Sequence, residues 1–219
     1  MIGFARAVLC AVALVATATV GAQNSKEGQK AADVAAKGLG SPLAGFASQR
    51  LIVLPVQLLR GDSLSWIQPG GWTAFRKELD DSVASAISER GIGKGWAYPA
   101  DLLRQAKRNA GFVGDPYSVG AQPLRGQNYR PADHVPPLMA SNLRPMIALA
   151  DARYALLPVE IVFQRDSARQ RAVLRLALVD GRTGQFGWVG EVASDPATAY
   201  SVSILSQLAA RVADLVVAR

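Results

Sequence analysis

Cysteine and histidine are nearly missing from this 219-residue chain, which has one of each, Cys10 and His134. Metal sites built from several imidazoles or thiolates are therefore excluded by count. A Ser-His-Asp or Cys-His arrangement could use His134 alone, and that residue sits beside Pro136-Pro137, a surface loop setting rather than that of a general base. Aromatics make up 7% of the residues, and no basic cluster is interleaved with them as in proteins that track a phosphate backbone, so nucleic acid is not an expected partner. Charged residues are also sparse, at 19%. What is abundant is apolar: half of the chain is hydrophobic, enough for one good core, and a single domain is the default.

The amino terminus reads as a secretory signal from Met1 to about Ala22. Arg6 lies in a short basic start, Ala7 to Val20 carries no charge, and Val20-Gly21-Ala22 supplies the small residues of a cleavage site. That run is short for a membrane span, which needs about 20 residues, so an uncleaved anchor is the weaker reading. Cys10 is preceded by Leu9 and lies inside the apolar run, which does not suit a lipobox. Export to the periplasm, the outer membrane or the exterior is expected, with no transmembrane segment after cleavage. The mature chain would hold no thiol, so its stability must come from the core. The formal charge of +7 falls to about +6 once Arg6 leaves, and the cations are spread along the chain. A solvated basic surface explains that, with anionic envelope material as the functional alternative.

Residues 23–49 are small and polar and read as a flexible leader with a short weak helix at Lys30 to Lys37; the α/β domain is expected over 50–219. It opens with Leu51 to Leu59, LIVLPVQLL, echoed by Tyr154 to Phe163, YALLPVEIVF. Both suit strands buried on two faces, and they are expected as the central pair of a sheet. Arg60-Gly61-Asp62-Ser63 is a turn cluster, which accounts for its adhesive-looking tripeptide. Helical spacing of Trp72, Phe75, Leu79, Val83, Ala86 and Ile87 predicts a helix from Thr73 to Arg90, with Asp80 and Asp81 on the polar side and Gly91 as its stop. A strand at Trp96 to Tyr98, a helix from Pro99 to Asn109 and a helix from Leu138 to Ala150 follow.

Arg171 to Asp180 and Gln185 to Val192 form a hairpin about Gly181-Arg182-Thr183-Gly184. A last helix is expected over Ala197 to Val217, with Val202, Leu205, Leu208, Ala209, Val212, Leu215 and Val216 as its core stripe. The fold class is α/β (α+β): a mixed sheet of about five strands with helices packed on it, in the order β-α-β-α-loop-α-β-β-β-α. The long stretch from Phe112 to Pro137 is the candidate contact surface, through Tyr117, Arg125, Tyr129, Arg130 and His134. The competing account is a loop wrapped over a sheet edge with its tyrosines tucked in.

Leu54-Pro55-Val56 in the first strand, with Asp180, Thr183-Gly184 and Trp188 in the late hairpin, resemble the α/β domain shared by the TolB amino-terminal region and CsgG-like envelope proteins. The resemblance spans most of the mature chain in its order of elements, and its motifs mark a fold rather than a catalytic site. The sequence departs from the family in having no β-propeller after this domain, no lipobox and no pair of membrane hairpins. The resemblance implies an envelope domain that binds another protein or assembles with itself.

No catalytic, metal or cofactor residue is assigned. Gly91-Ile92-Gly93-Lys94-Gly95 ends a helix and lacks the Ser or Thr of a phosphate loop, and the dinucleotide pattern fails at Trp96. No spaced calcium loop is present. Glu160 and Glu191 lie on expected strands, where facing carboxylates would make a glycosidase-like dyad conceivable. A periplasmic hydrolase resting on Glu160, Glu191 and His134 is thus the alternative to a non-catalytic binding domain. An exposed or salt-bridged glutamate is the plainer account of each.

Overall fold

The computed structural model describes residues 41–60, 71–166 and 169–217. The signal segment, the Lys30 to Lys37 helix and the turn after Arg60 lie outside them. Residues 41–49 belong to the domain rather than to a leader. Leu43 is buried and its N–H donates to the Leu215 carbonyl at 2.8 Å, while the Ser41 hydroxyl donates to the Asp214 carbonyl at 2.7 Å. This clasp ties the start of the described chain to its end.

The strands are β1 (Leu51–Val53), β2 (Leu58–Leu59), β3 (Trp96–Ala97), β4 (Tyr154–Asp166), β5 (Arg169–Asp180) and β6 (Gln185–Ala193). The helices are α1 (Gly71–Glu89), α2 (Pro99–Arg108), α3 (Pro137–Leu149) and α4 (Val202–Asp214). They make one mixed, six-stranded sheet in the order β3-β1-β4-β5-β6, with β2 also on β4. β1 runs parallel to β3 and β4, and β4, β5 and β6 are antiparallel in turn. The first apolar run therefore lies beside its echo, as its two-sided hydrophobicity requires.

It yields two short strands instead of one because Pro55 has no N–H to give to a ladder. Pairing still continues past it: the N–H groups of Leu54, Gln57 and Arg60 reach the carbonyls of Leu156, Pro158 and Ile161 at 2.9, 3.1 and 3.0 Å. Pro158 in β4 sits just before a register shift, where a proline is tolerated.

Helices cover both faces. α1 and α4 pack Phe75, Leu79, Val83 and Ile87 with Leu205, Leu208 and Val212 onto Val53, Leu156, Leu174 and Leu176. α2, α3 and the 109–136 loop pack Leu102, Val119, Met139 and Leu143 onto Ile52, Leu157, Ala177 and Phe186. Each such side chain contributes roughly 1.5–3 kcal/mol on full burial. α4 starts later than the sequence suggests, because Ala197 exchanges backbone hydrogen bonds with Gln170 and prolongs the sheet instead of entering a helix. The helix begins after Ser201, which leaves Val202 exposed and brings Ile204 into the buried stripe.

Candidate functional site

The 109–136 loop is held down from three sides. Gln57, in the gap between β1 and β2, is the first anchor. Its carboxamide donates to the carbonyls of Pro55 and Pro116 at 2.8 and 3.0 Å and accepts from the Val119 N–H at 3.2 Å. Gln57 is buried, so each bond is made out of reach of water. Gln57→Leu leaves the Pro116 carbonyl and the Val119 N–H unsatisfied and should cost about 2 kcal/mol. Urea unfolding measures that loss, and hydrogen exchange at Val119 should quicken with it; an unchanged exchange rate would count against the anchor.

The second anchor is Tyr117, whose hydroxyl donates to Asp80 Oδ2 at 2.8 Å while the Arg76 guanidinium lies 4.4 Å from its ring. Asp80 is thus not on the solvated side of α1 as its spacing suggests; it is buried, and the loop closes over it. Burial raises its carboxyl to about 7, against the Tyr117 hydrogen bond and the Arg76 charge, which pull the other way. A cavity of about 10 Å³ lies beside it among Val53, Val56, Leu79 and Val83, room for about one water.

The third anchor is a row of charges across three strands. The register pairs Glu160 of β4 with Arg175 of β5, and Arg175 with Glu191 of β6. Arg175 Nε lies 3.0 Å from Glu191 and its Nη1 lies 3.7 Å from Glu160. Nη2 donates to the Gln127 carbonyl at 2.8 Å, and the guanidinium stands 5.1 Å from the Tyr129 ring. Glu160 is fully buried under the loop, with Arg60 at 4.0 Å and the Gly126 N–H at 3.4 Å as its other neighbours. The two glutamates of the conceivable dyad are therefore joined through one cation. Arg175 was not singled out in the sequence; its place between two strand glutamates is set by register alone.

Tyr129 is buried and packs against Phe186, the two rings tilted by 31° with centroids 4.9 Å apart. Burial raises its phenol to about 12, opposed by the Arg175 charge, so it stays protonated. Both loop tyrosines thus pack inward, and of the five candidate contact residues Arg125, Arg130 and His134 are the exposed ones. His134 bridges to Gln185 at the start of β6. Around it, the N–H groups of Ala132 and Val135 reach the carbonyls of Phe186 and Gly184, and the Phe186 N–H reaches Asp133.

That pairing covers only the beginning of β6. From Gly187 to Ala193 the strand has no partner on its outer side among the described residues. The run carries a single charged side chain, Glu191, and two glycines; the Trp188 indole lies over Gly190, where an added Cβ would meet it at 2.3 Å. Among the described residues no group of acidic, His and Cys side chains is placed to hold a metal, and no helix is long and apolar enough to cross a membrane.

No family model matches the chain, and no curated protein sequence matches it. Solved structures similar to it include the PelC dodecamer from Paraburkholderia phytofirmans, 13% identical with a TM-score of 0.38, the match covering 83% of this chain and 95% of that one. The LpoB C-terminal domain from Salmonella enterica is 16% identical with a TM-score of 0.37, covering 75% and 90%. Lipoprotein GNA1162 from Neisseria meningitidis is 16% identical with a TM-score of 0.37, covering 75% and 93%.

Proposed function

We propose that the chain is an exported envelope domain, periplasmic or associated with the outer membrane or exterior, that works by binding another protein rather than by catalysis. Its contact surface is the free run of β6 together with the exposed residues of the adjoining loop, Arg130 and His134 foremost. The observation that carries this reading is the open edge from Gly187 to Ala193, with only one charge to discourage strand addition. Edges of monomeric proteins are ordinarily blunted by several charges, prolines or a covering segment. The signal-like Met1 to Ala22 segment supports export, and the Leu54-Pro55-Val56 and Asp180 to Trp188 motifs support a domain of the TolB amino-terminal or CsgG-like kind. The charge of about +6 left after signal removal opposes close approach of two copies and favours an acidic partner chain.

The test places a photo-crosslinking residue at Val189 in one variant and at Lys107, on α2, in another, and exposes each to envelope extract. A crosslinked protein is expected from Val189 only, and its yield should collapse when Gly187→Lys is added. Gly187 is exposed and has ordinary space for a Cβ, so that change charges the edge without disturbing the fold. Equal crosslinking from both positions, or a yield unmoved by the added lysine, refutes the edge as the contact. Light scattering on the chain from Gln23 decides between a partner of different sequence, which leaves a monomer, and a ring or other self-assembly.

A further inference from the structure

Four arginines from distant parts of the chain converge at the end of the sheet where the β5–β6 hairpin turns. Arg50 precedes β1, Arg144 lies on α3, Arg153 precedes β4 and Arg182 lies in the hairpin turn; together with Ile147, Ala152 and Gly181 they line an open cleft of about 580 Å³. That is the size of an ordinary small-ligand site. The floor is made of close packing. A Cβ on Gly181 would come within 2.9 Å of the Ile147 side chain and 3.0 Å of the Arg153 carbonyl, so the turn rests directly on α3. The Gly181 N–H donates to that carbonyl at 2.9 Å, and the Arg153 N–H reaches toward the Arg50 carbonyl at 3.5 Å.

The charges do not cancel. Two carboxylates are present: Asp151 pairs with Arg50, and Asp180 takes Nε and Nη2 of Arg153 at 3.2 and 2.7 Å. Arg153 is further held by its ring contact with Tyr154, 4.8 Å from guanidinium to centroid, so one cation of the cleft is already fixed in place. Arg144 and Arg182 are exposed, and neither guanidinium has a partner among the described residues. The C-terminal end of α3 adds partial negative charge, which two unpaired guanidiniums exceed. Each of them offers a planar fork of donors suited to two oxygens of one anion.

We propose that this cleft binds a ligand bearing a carboxylate or phosphate oxyanion, held by Arg144 and Arg182 with further N–H groups from Arg50 and Arg153. The site is concave, and its one large apolar lining residue, Ile147, is buried rather than offered for insertion, which favours a dissolved anion or an acidic chain over a membrane surface. It is independent of the β6 edge, and losing one contact does not remove the other.

Calorimetric titration with inorganic pyrophosphate and with oligogalacturonate, at low salt, tests it. Saturable binding of either supports the proposal; pyrophosphate alone marks a free anion as the source, and oligogalacturonate marks an acidic glycan. Arg144→Gln/Arg182→Gln should weaken binding at least about tenfold, as the loss of two charge-assisted contacts implies, with the melting temperature unchanged. A control, Lys107→Gln/Arg108→Gln, removes the same charge from exposed positions on α2 and should bind as the parent does. The proposal is overturned if neither anion binds, if the control loses affinity equally, or if the chain binds only phosphatidylglycerol vesicles.

Discussion

Arg175→Ala should lower the unfolding free energy by about 3–5 kcal/mol, the range for removing one partner of a buried ion pair. The reason is Glu160, which is fully buried and would keep, among the described residues, only Arg60, at 4.0 Å and half-exposed, and the long contact to the Gly126 N–H. Even with Arg175 in place, Glu160 Oε1 has no hydrogen-bond partner among the described residues, so this carboxylate has little reserve. At this chain length the loss should appear as a fall in melting temperature of roughly 6–20 °C. Adding Glu160→Gln to Arg175→Ala should recover a good part of it, because the neutral amide removes the uncompensated charge. A double variant no more stable than Arg175→Ala would refute the pairing as the source. The same substitution frees the Gln127 carbonyl and one side of Tyr129, so proteolysis within 120–130 should accelerate.

The second large effect is a dependence of stability on pH through Asp80. Its folded carboxyl titrates at about 7 instead of 3.8, chiefly because burial disfavours the charged form. Between those two values the folded state holds a proton that the unfolded state has released, so stability falls as pH rises. The contribution is complete below pH ~4 and is gone above pH ~7, an amplitude of about 4 kcal/mol. Other groups titrate in the same interval, so the informative quantity is the difference between the parent and Asp80→Asn in urea unfolding, pH by pH. That difference should move in favour of the variant by about 3–4 kcal/mol between pH 4 and pH 8. A flat difference would mean that Asp80 is solvated and that the loop does not close over it.

Much of this architecture is legible along the chain. The paired LPV strands, the helix stopped at Gly91 and the DGRTG hairpin follow from local rules: side-chain alternation in strands, the 3.6-residue period of helices, and turn chemistry. The misreadings have equally specific causes. Asp80 follows the polar pattern of α1 and is buried only because Tyr117, 37 positions further on, comes to cover it. Val202 fits a helical stripe, yet the sheet claims Ala197 first and the helix starts too late to bury it.

By itself, then, the sequence determined the order and kind of the elements, the two-sided burial of the central strands, and the scarcity of cysteine and histidine. Those properties depend on neighbours within a few residues or on simple counts. Tertiary structure alone decided that Arg175 stands between Glu160 and Glu191, that the loop tyrosines turn inward, that no described residue pairs with the outer side of β6 beyond Phe186, and that Arg50, Arg144, Arg153 and Arg182 share a cleft. Each of these depends on strand register or on how a loop wraps, where a slip of one residue would send every side chain to the opposite face.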